Sequence, residues 1–74
     1  MQTRHTVRVE FGQHMKLEQV QGMHSTLAAC GDVTAEEDGR TFLVETYRDA
    51  NLAYLKKTLA GWEQWGFVTW TQVA

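Results

Sequence analysis

A chain of 74 residues has room for one domain, residues 1–74, and a domain of this size hides only about 60–65% of the surface its unfolded form exposes. Its composition, 43% hydrophobic and 22% charged, excludes intrinsic disorder, and a net charge of −2 with 7 scattered basic residues speaks against direct nucleic-acid binding, which needs clustered Lys and Arg. A single cysteine, Cys30, excludes an internal disulfide, and no apolar run reaches membrane-spanning length.

The opening "MQTRHTVRVEF" alternates polar and apolar residues where a signal peptide would present an apolar block, so the cytoplasm is the expected compartment. Within it, residues 5–11 set Val7, Val9 and Phe11 against Thr6, Arg8 and Glu10, the period of a half-buried strand ended by Gly12. Residues 15–31, "MKLEQVQGMHSTLAACG", follow as a helix with Leu17, Val20, His24 and Leu27 on one face, Met23 and Cys30 beside them. Gly31 reads as its left-handed C-terminal residue. Gly22 inside it costs roughly 1 kcal/mol against alanine, and a close approach to a sheet would account for it.

Residues 32–47, "DVTAEEDGRTFLVETY", are a hairpin turning at Asp38-Gly39, read as a two-residue type I′ turn. That register pairs Glu37 with Arg40, Ala35 with Phe42 and Val33 with Val44. It puts Val33, Ala35, Phe42 and Val44 on one face and Leu43, Glu45 and Tyr47 on the other. Residues 48–66 form a second helix with Asp49 as N-cap and Leu52, Leu55, Leu59 and Trp62 lining its inner face. Trp65 falls at the helix end, over the rim of the core. Residues 67–73 close the chain as a strand with two possible registers. One turns Val68, Trp70 and Gln72 toward the helices and fills a small core with the larger side chain. The other places Val68 and Trp70 beside Leu43 and Tyr47, around Arg4 and Arg8.

The order β-α-β-β-α-β, with short right-handed connections, leads to an α+β ferredoxin-like sandwich: a four-stranded antiparallel sheet ordered 4-1-3-2, both helices on one face. Little in it points to catalysis. His5, His14, His24 and Cys30 lack the tight spacing of metal ligands, His24 and Cys30 being about 120° apart around one helix. No third group orients a Cys/His pair as a nucleophile. Glu36 and Glu37 point to opposite faces of a strand, so they do not form a carboxylate pair for acid–base work. No metal or cofactor is expected, and the chain reads as non-enzymatic.

"VQG" (20–22) resembles the phosphate loop of acylphosphatases over three residues, but no arginine occurs from 9 to 39 and the tripeptide lies inside a helix. Ferredoxin-like metal chaperones share the topology, and their CxxC is missing. "RTFLVETY" (40–47) resembles the RNP1 strand of RNA-recognition motifs, which implies base stacking on an open sheet face. The first strand, however, offers Arg4, Thr6, Arg8 and Glu10 there and no aromatic. In size and style the chain resembles phage-encoded inhibitors such as anti-CRISPR proteins, several of them compact ferredoxin-like domains. That resemblance implies carboxylates meeting a basic surface of a nucleic-acid-processing complex. The expected function is protein binding through the acidic hairpin, the open sheet face or both, with Glu36, Glu37, Asp38, Leu43, Glu45, Tyr47 and Trp70 as contact residues. Two further possibilities are a homodimer holding a small ligand between sheets and a single-stranded RNA-binding module.

Overall fold

In a computed structural model describing residues 4–74, the elements run β1 (His5–Phe11), α1 (Leu17–Cys30), β2 (Asp32–Ala35), β3 (Thr41–Thr46), α2 (Asp49–Gln64) and β4 (Val68–Gln72). All strand pairs are antiparallel and the sheet is ordered β2-β3-β1-β4, the expected ferredoxin-like arrangement. Strand periodicity divides inside from outside. Val7, Val9 and Phe11 are buried while Arg8 and Glu10 are exposed, and Phe42 and Val44 join them from β3. From the helices come Val20, Leu27 and Cys30, then Leu52, Leu55 and Leu59. Burying each such leucine stabilises the fold by about 1.5–3 kcal/mol. No helix among the described residues is long and apolar enough to cross a membrane.

β4 takes the first of its two registers. Phe11 faces Val68, Val9 faces Trp70 and Val7 faces Gln72, so Trp70 lies on the helix side, half-buried against the core. Its indole Nε1 is buried without a hydrogen-bond partner among the described residues. Trp62 packs on Phe11 at 6.2 Å between ring centroids. α2 ends as expected at Gly66, whose φ is 78°. Phe67 N–H donates to the Trp62 carbonyl and Gly66 N–H to that of Glu63, the two bonds of a Schellman motif.

Several local expectations need correction. Leu17 is 55% exposed, because α1 turns Val20, Leu27 and Cys30 inward and leaves Leu17 on its flank. Trp65 is 76% exposed and covers no core rim. The N-cap of α2 is Arg48, whose extended backbone precedes the first turn, and Asp49 is already helical. The hairpin is not a type I′ turn: only Gly39 has positive φ, and type I′ needs two such residues. Instead Gly39 N–H donates to the Glu36 carbonyl (3.1 Å) and Glu36 N–H to that of Thr41 (2.8 Å). Glu37–Arg40 therefore forms a four-residue loop and Glu37 does not pair with Arg40. The strand register is nonetheless as expected, Ala35 facing Phe42 and Val33 facing Val44.

Two glycines also differ from expectation. Gly31 is extended (φ 169°, ψ −160°), not left-handed. Gly22 approaches nothing: a Cβ there would meet no atom within 4 Å. Gly22→Ala is therefore expected to stabilise the domain by roughly 0.5–1 kcal/mol, by restricting the unfolded chain. The urea midpoint of unfolding would rise at unchanged slope.

Candidate functional site

The helices leave one sheet face uncovered, and the strand alternation decides what stands there. From β1 come Thr6, Arg8 and Glu10, from β3 Thr41, Leu43 and Glu45, from β2 Asp32 and Thr34, and from β4 Thr69 and Thr71. Glu36 extends the β2 row. Thr34, Leu43, Arg8 and Thr71 form one rung across the four strands, and Asp32, Glu45 and Thr6 form the next. Four carboxylates thus share the face with two arginines.

Those arginines lie inside the carboxylate group. Arg8 is 3.4 Å from Glu10 and 3.6 Å from Glu36, and Arg4 is 3.7 Å from Glu45. Exposed pairs at such distances are worth about 0–1 kcal/mol each, so they neutralise charge locally without locking the side chains. The single proton of the Tyr47 hydroxyl is shared between two carboxylates, Asp32 (3.0 Å) and Glu45 (3.2 Å). These hydrogen bonds, that to Asp32 foremost, raise the Tyr47 pKa above its usual 10.0 and keep the phenol neutral as a donor. Among the described residues Asp32 meets no basic side chain within 4 Å.

Of the expected contact residues, Glu36, Leu43, Glu45 and Tyr47 belong to this face. Glu37 falls in the exposed loop beyond it. Trp70 does not belong, since its register turns it to the helix side. Asp38 has a different task. Its Oδ1 accepts the N–H groups of Arg40 (2.9 Å) and Thr41 (2.8 Å), and its Oδ2 accepts the Thr41 hydroxyl (2.7 Å). Asp38 is the internal brace of the hairpin loop, and reversing its charge would remove the loop rather than probe a surface.

The same bonds, the Thr41 hydroxyl first and the two amides next, hold the Asp38 carboxyl below its ordinary 3.8. A lowered folded pKa contributes stability that is present above the unfolded value, near pH 4, and is lost as pH falls through the folded value. The wild-type advantage over Asp38→Asn in urea midpoint is therefore expected to shrink from neutral toward strongly acidic pH. A difference that stays constant would mean that the carboxylate's charge plays no part in the brace.

The histidines and the cysteine are dispersed. His5 lies 3.6 Å from Asp49, the His24 ring packs on Phe42 at 5.4 Å, and Cys30 is buried with its thiol on the Thr26 carbonyl. Burial raises the Cys30 pKa above 9.0. Among the described residues no three His, Cys, Asp or Glu side chains converge on a point that could hold a metal ion.

One feature near the face escaped the sequence. Beyond its β2 edge, on the helix side, Leu17, Val20, Gln21 and His24 of α1 stand opposite Ala35, Gly39 and Phe42 across a groove of about 380 Å³. The i, i+4, i+7 spacing of Leu17, Gln21 and His24 was a usable signal for that wall. No family model matches the chain, and no curated protein or solved structure matches it.

Proposed function

We propose that this chain is a non-enzymatic binding module that docks its open sheet face on a basic surface of another protein. The observation that supports this most is the uncovered face itself, which gathers Glu10, Asp32, Glu36 and Glu45 around Leu43. With Arg4 and Arg8 paired among them the four carboxylates leave the face acidic on balance, and such an excess on a sheet steers association toward partners of the opposite sign. In its most specific form the reading is that of a phage-type inhibitor, resembling anti-CRISPR proteins in style, that occupies the basic surface of a nucleic-acid-processing complex in the cytoplasm. The large aromatics Phe11, Phe42 and Trp70 lie on the helix side, which leaves Tyr47 as the aromatic group beside the open face and gives RNA stacking little support. Two copies stacked face to face would bring together two surfaces that are each acidic on balance, which works against a ligand-enclosing homodimer.

The test is affinity capture from the native host's lysate with wild type and a Glu10→Lys/Glu36→Lys/Glu45→Lys variant. The wild type is expected to retain basic proteins that elute with rising salt, and the variant to lose them. Equal retention by both, with the variant folded by circular dichroism, would sink the reading.

A further inference from the structure

The β2 edge and the α1 flank together make a slot whose two sides ask for different chemistry. β2 is an edge strand. Glu36 N–H donates to the Thr41 carbonyl, which sets the phase of the ladder. Residues 32, 34 and 36 turn their backbone groups toward β3, and Val33 and Ala35 turn theirs outward. Two N–H and two C=O groups therefore stand ready for another strand. On the helix side of this edge lies the apolar groove walled by Leu17, His24, Ala35 and Phe42. On the open side the β2 side chains are Asp32, Thr34 and Glu36.

A strand added to this edge presents alternate side chains to the two sides. One set enters the groove and must be apolar; the other stands beside Asp32 and Glu36 and must be basic. A second copy of the chain fits poorly, because β2 against β2 brings Asp32 and Glu36 close to their own counterparts. The other edge, β4, carries Thr69 and Thr71 on its open side and no charge to select an occupant. We propose that β2 accepts an extended segment of a partner protein in which basic and apolar residues alternate. This rests on the reading of the chain as a protein-binding module and names the form of the bound segment.

The probe is a capped synthetic peptide of about seven alternating arginine and valine residues, the length of a strand, titrated into isotope-labelled protein and followed by NMR. A peptide of the same composition with its arginines and valines in separate blocks serves as control. The expected result is slowed exchange of the Val33 and Ala35 amides and shifts at Leu17 and His24. Affinity should fall roughly tenfold, about 1.4 kcal/mol, for the block peptide, for Leu17→Lys, and for Asp32→Lys/Glu36→Lys. Leu17 is exposed, so its variant tests the groove even where the double charge reversal unfolds.

Shifts confined to Glu10, Leu43 and Glu45, with Val33 and Ala35 still exchanging freely, would overturn strand addition while leaving acidic-face binding in place. No binding at millimolar peptide would overturn it as well, and the lysate experiment would then decide the broader reading alone. Protection of Val33 and Ala35 without peptide, together with a dimer in light scattering, would make the occupant a second copy and also overturn the proposal.

Discussion

Gly31→Ala is expected to destabilise the domain by about 3 kcal/mol, the upper range for forcing atoms into filled space. A Cβ at Gly31 would overlap the Glu45 carbonyl oxygen and stand 2.9 Å from its carbon and 3.3 Å from the Thr46 Cα. These are backbone atoms of an interior strand, so no side chain can swing aside. Either β3 shifts, disturbing its ladders to both β1 and β2, or the α1–β2 junction moves and takes Cys30 out of the core. Domains of this size have a total stability of roughly 4–11 kcal/mol, so the variant would lose a large share of it. Thermal denaturation should show a midpoint lower by on the order of 15 °C. Gly22→Ala, the same substitution in the exposed middle of α1, should move it the other way. A Gly31→Ala midpoint within a degree or two of wild type would mean that the α1–β2 junction yields freely.

That contrast marks how far the sequence could be read. Alternation over 5–11 and 41–46 and the leucine spacing of α2 are properties of single elements, and each led to the right element in the right place. The register of the last strand was not legible in this way: volume slightly favoured Trp70 toward the helices, yet Trp70 also read as a contact residue, and only the pairing with β1 puts it on the helix side. Gly31 was visible as a boundary but not its reason, because the reason is a carbonyl 14 residues away on another strand. Leu17 was misplaced since a helical stripe can be rotated by one residue without losing its period, and only packing against the sheet decides which edge is covered. The turn failed differently: Asp-Gly is the signature of a two-residue hairpin, but the Asp38 carboxylate captured the Arg40 and Thr41 amides and favoured a four-residue loop. Both turns keep the same strand register, so the error stayed local.

The open face was legible because it follows from strand period alone: once β1 and β3 are aligned, Leu43, Glu45 and Arg8 must share a side. The slot beside β2 was not. It lies between α1 and the β2–β3 hairpin, whose facing residues are 11 to 25 positions apart in sequence. Its walls Leu17 and His24 share one helical stripe with the buried Val20 and Leu27, so the period alone does not set them apart. Exposed apolar residues beside an unpaired strand edge are informative because they run against ordinary protection of sheet edges, where charge and short length discourage pairing. β2 has the short length and the charge, and the charge has one sign, which discourages copies of itself and not a basic segment.

Arg40→Ala is expected to cost about 2–3 kcal/mol, from two charge-assisted hydrogen bonds that lose their donor. The Arg40 Nη1 donates to the Gly12 carbonyl (2.9 Å) and to that of Met15 (2.6 Å), tying the hairpin loop to the β1–α1 connection 25 to 28 residues earlier. Met15 is buried, so its carbonyl cannot simply turn to solvent without drawing the side chain from the core. Arg40→Met separates the causes. It keeps an apolar stem without the donors, so it should fall as far as alanine if the hydrogen bonds matter and recover most of the loss if packing does. The tether also sets the width of the slot, because Leu17 follows the anchored Met15 by two residues while Gly39 and Ala35 belong to the hairpin that Arg40 holds. Arg40→Ala should therefore weaken the alternating arginine–valine peptide by more than tenfold even where the domain stays folded. Gly22→Ala, which raises stability without touching either wall, should leave that affinity unchanged. If both variants bound the peptide as wild type does, α1 would be no part of the slot, and the β2 edge alone would have to account for recognition.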